Sequence, residues 1–172
     1  SSLTITPEIM GTIFNESACE RMFYECTSLI RTSEFHVITV GSEACREMFA
    51  GDRSLAEVCD IPANKVESFG CYQMFQGCSS LKKAPEIQAT IIGNHCYSEM
   101  FRDCLSLAEG PSVLPAMHLK EKCYQRMFYG CTSLIRAPKL PSTTEWDYRN
   151  GKYVTGLAEY CYEEMFCNCK SL

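Results

Sequence analysis

The feature that most constrains the fold is an internal repeat, because the dipeptide Met-Phe recurs along the whole chain. Its methionines are spaced by 26, 26, 26, 27 and 38 residues, and they are Met22, Met48, Met74, Met100, Met127 and Met165. Ser-Leu follows each of these six methionines at the sixth and seventh position, ending with Ser171-Leu172. One copy of such a unit is too small to bury an apolar face alone, so the copies must stack on one another.

Two kinds of apolar spacing alternate within a repeat. Around the methionine, as in residues 96–104, apolar residues lie at helical spacing and predict a short helix. Glycines lie three residues after three of the methionines, where a left-handed residue would end that helix; they are Gly51, Gly77 and Gly130. After the leucine, as in residues 81–87, apolar residues recur at the first, fourth and seventh positions and predict a short strand.

These patterns predict an α/β repeat fold, a right-handed leucine-rich-repeat-type solenoid of six turns of about 26 residues. Short helices would line one side and short parallel strands the other, in a single domain that spans residues 1–172. A proline column crosses the strand region and requires each strand to be short or bulged there. The column reads Pro7, Pro85, Pro111 and Pro138, and Cys59 takes the same position in the third repeat.

The thirteen cysteines lie almost entirely in repeat columns. Small apolar groups suit such columns, which favours buried free thiols. Stacked cysteines point in parallel and suit disulfide geometry poorly. Zinc is the alternative, but zinc sites usually contain closely spaced cysteine pairs, whereas the common spacings here leave six or seven residues between cysteines. We therefore expect no metal and no cofactor.

Composition argues against several classes of function. The net charge is −5 and no Lys/Arg stripe occurs, so we expect no nucleic-acid partner. No apolar run reaches the roughly 18 residues of a membrane helix, so we expect no membrane insertion of this piece. It carries no signal peptide, and it begins and ends in the same phase of the repeat, as a piece of a longer array would. Without a nucleophile elbow, phosphate loop or metal-protease motif, we expect no enzyme.

Two polar columns flank the apolar strand positions. The first alternates in sign and predicts a cross-strand ion-pair ladder that fixes the register; it reads Arg31, Glu57, Lys83, Glu109 and Arg136. The second begins with four acids, Glu8, Glu34, Asp60 and Glu86, and continues with Ser112 and Lys139. Stacked carboxylates form either a solvated face or a site for a cation such as Ca²⁺.

The repeat is interrupted once, by an insertion at about residues 145–156 between the fifth and sixth methionines. Asn150-Gly151 predicts a two-residue hairpin turn that pairs Tyr148 with Tyr153 and Trp146 with Thr155. Trp146, Tyr148 and Tyr153 would then share one face. Such aromatic residues either contact a partner or cover the edge of neighbouring turns, so these three are candidate partner-binding residues.

The segment Cys123 to Pro141 reads Cys-Tyr-x-x-Met-Phe-x-Gly-Cys-Thr-Ser-Leu-x-x-Ala-Pro-x-Leu-Pro. It resembles the BspA-like leucine-rich-repeat proteins of bacterial surfaces. The resemblance implies a cell-surface or secreted array that binds a host or cell-surface protein or a glycan, often in adhesion. A structural spacer that projects other domains is the alternative. The first three repeats differ, because their cysteine lies three residues before the methionine rather than four.

Overall fold

The computed structural model describes residues 3–141, 144–147, 152–155 and 157–172, with the backbone alone at 144–147 and 152–155. Four two-residue strands form one parallel sheet in the order β1-β2-β3-β4: β1 (Ile13–Phe14), β2 (Thr39–Val40), β3 (Lys65–Val66) and β4 (Ile91–Ile92). The strands β5 (Thr144–Asp147) and β6 (Lys152–Thr155) form a separate antiparallel pair.

The parallel sheet repeats at the period of the sequence. Phe14 pairs with Val40, Val40 with Val66, and Val66 with Ile92, and these inward residues are buried. Two further rows of isolated parallel bridges run beside the sheet; they include Ile5 with Arg31, Arg31 with Glu57, Ile9 with Phe35, and Ile61 with Ile87. The predicted parallel stacking of repeats is therefore confirmed, and the fold is a repeat solenoid. The predicted position of the strands is wrong, because residues 81–87 form only isolated bridges at Lys83 and Ile87, whereas the strand of that turn is Ile91–Ile92.

The predicted helices are wrong: the described residues contain none. In their place the chain forms six stretches of consecutive tight turns. Each stretch, taken with the residue whose amide closes its last turn, is called a turn segment, and segments 1 to 6 are residues 16–26, 42–52, 68–78, 94–104, 121–131 and 159–169. Backbone amides along segments 1 to 5 alternate between a bond within the segment and a bond to the next segment. The amide of Met22 donates to the Cys19 carbonyl three residues back (3.2 Å), whereas that of Phe23 donates to Met48 in the next segment (2.9 Å).

This alternation explains why the helix prediction failed. An α-helix bonds each amide to the carbonyl four residues back within the same segment. Here every second amide bonds a neighbouring segment instead, so each segment is also one row of a parallel ladder. Inward residues still recur every four positions, and that spacing resembles the apolar face of a short helix. The apolar pattern alone does not separate the two backbones.

Each turn segment also has three residues of positive φ, four positions apart. In segment 2 they are Glu43 (56°), Glu47 (50°) and Gly51 (82°). Glycine occupies the third position in three segments, so the prediction that Gly51, Gly77 and Gly130 are left-handed is confirmed, although they end no helix. Left-handed backbone costs a residue with a Cβ roughly 1 kcal/mol or more, which the hydrogen bonds to the neighbouring segments offset.

The core is a set of columns that run through all the turn segments. Six phenylalanines stack in succession with ring centroids 5.4 to 5.7 Å apart; they are Phe23, Phe49, Phe75, Phe101, Phe128 and Phe166. The leucine column beside them, from Leu29 to Leu134, is fully buried. Stacked aromatic pairs contribute about 0.5–1.5 kcal/mol each beyond the area that they bury. The core is thus continuous, and each turn contacts its immediate neighbours.

Candidate functional site

The proline column determines the shape of the strand face. Pro85, Pro111 and Pro138 are buried, whereas the equivalent positions in the second and third turns are Ser33 and Cys59, both half-buried. Unlike proline, these two residues have backbone amides that need an acceptor. The second and third turns must therefore provide a hydrogen-bond acceptor that the later turns, with proline at this position, do not need.

Buried threonines one turn earlier accept these two amides. The Ser33 amide donates to Thr6 Oγ1 (2.7 Å), and the Cys59 amide donates to Thr32 Oγ1 (3.0 Å). Where the following turn has proline, no amide needs an acceptor, and the threonine position holds the non-hydroxyl residues Val58, Ala84 and Gly110. The sequence contained this signal, since each threonine lies 27 residues before a position without proline. This pairing of threonine with a missing proline was not predicted.

The missing prolines leave a shallow groove, which we call the Cys59 groove. It has a volume of about 410 Å³ and is lined by residues 31–34 and 57–59 with Ile5 and Glu8. Thr32 is buried and Val58 and Cys59 are half-buried, whereas Arg31, Glu34 and Glu57 are exposed. A second hollow of about 470 Å³ shares Glu34, Val58 and Cys59 and extends the groove to Asp60 and Pro62.

The four acids of the predicted column lie in two different surroundings. Asp60 Oδ1 accepts the Glu86 amide (2.9 Å), and the Glu86 carboxylate accepts the Ser112 amide (3.0 Å) and hydroxyl (2.6 Å). These two carboxylates thus bond the backbone of the next turn. Glu8 and Glu34 line the Cys59 groove instead. Within the described residues, no group of three or more His, Cys, Asp or Glu side chains is arranged to hold a metal ion.

The alternating charge column lies in register. Parallel bridges join Arg31 to Glu57, Lys83 to Glu109, and Glu109 to Arg136, so these oppositely charged residues lie beside one another on neighbouring turns. An ion pair joins Arg136 Nη1 to Glu109 Oε1 at 2.9 Å. The Arg136 side chain is 71% exposed, so such a pair contributes under about 1 kcal/mol. At the groove, Arg31 is the one base among the lining residues, beside Glu8, Glu34 and Glu57.

All thirteen cysteines are free thiols and nine are buried, as their column positions predicted. One cysteine column bonds the phenylalanine column, because four of its thiols donate to a phenylalanine carbonyl of the preceding segment. The bonds are Cys78 to Phe49 (3.2 Å), Cys104 to Phe75 (3.1 Å), Cys131 to Phe101 (3.0 Å) and Cys169 to Phe128 (3.1 Å). Burial raises the pKa of the Cys104 thiol well above its usual value, which keeps it protonated and able to donate.

The predicted hairpin is present, but its predicted register is wrong. Trp146 pairs with Tyr153 and Asp147 with Lys152, so Trp146 does not lie opposite Thr155. The described strands end at Asp147 and begin again at Lys152. Because the register moved by two, the alternation of faces along each strand is preserved. Tyr148 and Asn150-Gly151 lie outside the described residues, so the grouping of Trp146, Tyr148 and Tyr153 stays a prediction.

No protein-family model matches this chain, and no curated protein matches it. A crystal structure of a T. pallidum leucine-rich repeat protein matches with 23% sequence identity over 80% of this chain and 69% of that one, with a TM-score of 0.40. The fold assignment rests instead on the repeat and on the parallel ladders of this structure. The described part of the chain has no helix that is long and apolar enough to cross a membrane.

Proposed function

We propose that this chain is a non-enzymatic binding module of a cell-surface or secreted bacterial protein of the BspA-like leucine-rich-repeat kind. Its partner is a host or cell-surface protein, and the Cys59 groove holds an extended, positively charged segment of that partner. The observation that carries the proposal is the groove itself, formed where two prolines of the column are missing and bordered by carboxylates.

The chemistry of the groove supports a cationic segment. Glu8, Glu34 and Glu57 oppose the single base Arg31, so the lining is negatively charged. Ile5 and Val58 add apolar surface beside these carboxylates. Arginine and lysine combine an apolar stem with a charged head, and they match such a mixed surface. The backbone of this face is held by parallel bridges, so little ordering is needed when a segment binds.

The groove is tested with a synthetic peptide of alternating arginine and valine, whose binding is measured by fluorescence anisotropy. The groove variant is Glu34→Gln/Glu57→Gln, and the matched control is Glu16→Gln/Glu25→Gln, which removes the same charge from exposed residues elsewhere. We expect the groove variant to weaken binding about tenfold, since two exposed charge pairs contribute about 1 kcal/mol or less each. Equal losses in both variants would mean that the peptide responds to overall charge and that the groove is not the site.

The hairpin supports a second contact. Its backbone places Trp146 directly opposite Tyr153, and tryptophan and tyrosine are enriched at binding hot spots. An array of extracellular-matrix proteins and glycans should be probed with the groove variant and with Trp146→Ala/Tyr148→Ala/Tyr153→Ala. Loss of a signal in only one variant identifies the contact. An array on which the unmodified protein binds nothing favours the alternative function, a spacer that projects other domains.

A further inference from the structure

One member of the cysteine column that bonds the phenylalanine carbonyls is a carboxylic acid. The column reads Cys26, Asp52, Cys78, Cys104, Cys131 and Cys169. Asp52 has no exposed surface, and neither of its carboxylate oxygens has a hydrogen-bond partner. A buried charged carboxylate without a partner is strongly destabilising, so the group favours its protonated form.

The neighbours of Asp52 do not supply a positive charge. The titratable groups that face it are the thiols of Cys26 in segment 1 and Cys78 in segment 3. Burial raises the pKa of both thiols, and the carboxylate raises it further, so both stay neutral. Burial raises the pKa of Asp52 itself to about 7, and the nearby Cys26 amide offsets only part of that rise. No ion pair joins Asp52 to a base in the described part of the chain.

The protonated acid can replace the thiol of its column. Cys78 donates to the Phe49 carbonyl 29 residues earlier, and Cys104 donates to Phe75 at the same spacing. The equivalent acceptor for Asp52 is the Phe23 carbonyl in segment 1. An O–H group can make this bond, whereas a carboxylate has no proton to donate and would face a carbonyl oxygen.

Asp52 also leads directly into the Cys59 groove. Its amide donates to the Phe49 carbonyl (3.2 Å), and its own carbonyl accepts the Leu55 amide (3.1 Å). Leu55 is fully buried, and the groove residues 57–59 follow two residues later. A short, hydrogen-bonded turn thus connects Asp52 to the half-buried residues of the groove.

We propose that Asp52 is a proton switch that couples the pH of the surroundings to the packing of the first three turns. In acid the protonated side chain packs among Cys26 and Cys78. As the pH rises, the acid ionises, the turn from Asp52 to Leu55 opens more often, and the groove loses its shape. The effect on packing is independent of the proposed function, whereas an effect on partner binding rests on it.

The direction of the pH dependence follows from linkage. In the unfolded chain Asp52 titrates near 3.8, whereas in the packed state it titrates at about 7. Below pH 3.8 both states hold the proton and stability does not change. Between these values the opened state releases its proton while the packed state keeps it, so packing weakens as the pH rises. Over the roughly three pH units between these two pKa values, the equilibrium constant for opening increases by up to about a thousandfold.

Hydrogen exchange of the intact chain at pH 5 and pH 8, corrected for the intrinsic exchange rate, measures this opening. We expect the amides of segments 2 and 3, and that of Leu55, to lose protection at pH 8 while those of segment 5 keep it. Asp52→Asn and Asp52→Cys should abolish the difference. Asp52→Cys restores the residue of the column and should fold even where asparagine does not.

Three results would overturn the switch: the same pH dependence in Asp52→Cys as in the unmodified chain, an equal loss of protection in segment 5, or full protection at both pH values. The infrared band of a protonated carboxylic acid at pH 5 provides a second readout and should be absent in Asp52→Cys. Peptide binding measured on the same samples separates the two proposals. Exchange that responds to pH without any peptide binding supports the switch and contradicts the proposed function of the groove.

Discussion

The first three and the last three turn segments build the same backbone from different side chains. Three residues before the methionine, segments 1 to 3 have cysteine and segments 4 to 6 have tyrosine: Cys19, Cys45 and Cys71, followed by Tyr97, Tyr124 and Tyr162. One position earlier the order is Ala18, Ala44 and Gly70, followed by Cys96, Cys123 and Cys161. The two halves therefore fill one interior with two different sets of side chains.

Each set is compatible mainly with its own half. A Cβ at Gly70 would lie 2.7 Å from Val66 Cγ1 and 3.1 Å from Val40 Cγ1, so the cysteine found there in later turns does not fit. In the second half, Tyr97, Tyr124 and Tyr162 stack with centroids 5.8 and 5.9 Å apart. Because each turn contacts only its neighbours, a change of packing is accommodated in blocks of adjacent turns.

The halves also differ in whether their buried hydroxyl groups are hydrogen-bonded. The hydroxyls of Tyr97, Tyr124 and Tyr162 are buried without hydrogen-bond partners. In the first half the buried hydroxyls of Thr6 and Thr32 accept backbone amides. Burial raises the pKa of Tyr124 far above its usual value, so its hydroxyl stays protonated. The buried threonine hydroxyls of the first half thus bond the backbone, whereas the second half gains aromatic area and leaves its phenol hydroxyls without partners.

The largest expected effect comes from removing a ring of the tyrosine stack. Tyr124→Ala deletes a fully buried ring between two stacked neighbours and should lower the free energy of unfolding by about 4 kcal/mol. Cys45→Ala, at the same position in the first half, should cost about 1 kcal/mol because it removes one sulfur atom. Urea denaturation of both variants measures the difference. Equal costs would show that the two halves do not differ in packing.

The next largest effect should come from placing proline, which the later turns have in this column, at position 59 of the first half. Cys59→Pro removes the amide that Thr32 Oγ1 accepts and should destabilise the chain by about 2 kcal/mol, since it leaves a buried hydroxyl unpaired. Thr32→Ala/Cys59→Pro reproduces the Ala-then-Pro arrangement of Ala84 and Pro111 and should recover most of that loss in thermal or urea unfolding. The double variant should also fill the Cys59 groove and abolish peptide binding. A double variant less stable than Cys59→Pro would contradict this account.

Substituting the left-handed glycines should change the stability by an intermediate amount. A Cβ at Gly77 would contact only Gly51 atoms, at 3.9 Å. Gly77→Ala should therefore lower the free energy of unfolding by about 1 kcal/mol, through backbone strain alone. At Gly130, a Cβ would lie 2.2 Å from Asp103 Oδ1, so Gly130→Ala must also displace a carboxylate. We expect Gly130→Ala to cost about twice as much in urea unfolding. Asp103→Ala in the same background should bring the two glycine variants to similar values.

The smallest expected effect is a gain in stability. Tyr124→Phe removes an unpaired buried hydroxyl and keeps the stacked ring, so it should raise the free energy of unfolding by about 1 kcal/mol. The matched test in the first half is Thr32→Val, which removes a hydroxyl that does accept a bond and should destabilise the chain. Destabilisation by both variants would show that the Tyr124 hydroxyl has a partner in solution.

The columns of the solenoid could be predicted from the sequence because a fixed period places equivalent residues one turn apart. The inward position of Val40 and Val66 and the bridge between Arg31 and Glu57 follow from that period alone. The turn segments could not be predicted, because apolar residues four apart suit both a helix and a ladder of turns. Asn150-Gly151 predicted the hairpin, but it did not predict the register in which Trp146 pairs with Tyr153. The sequence placed Asp52 among cysteines, but only packing revealed that it lacks a partner.

The alternating hydrogen bonds of the turn segments also determine how the chain responds to tension. About half of the amides in each of segments 1 to 5 bond the next segment, and a force applied between segment 1 and segment 6 loads these rows in series. Rows in series give way singly, so the protein should lengthen in steps rather than rupture at once. Each released turn of about 26 residues adds roughly 80 Å of extended chain. A tether of this kind absorbs work between two attached surfaces while its remaining turns stay folded.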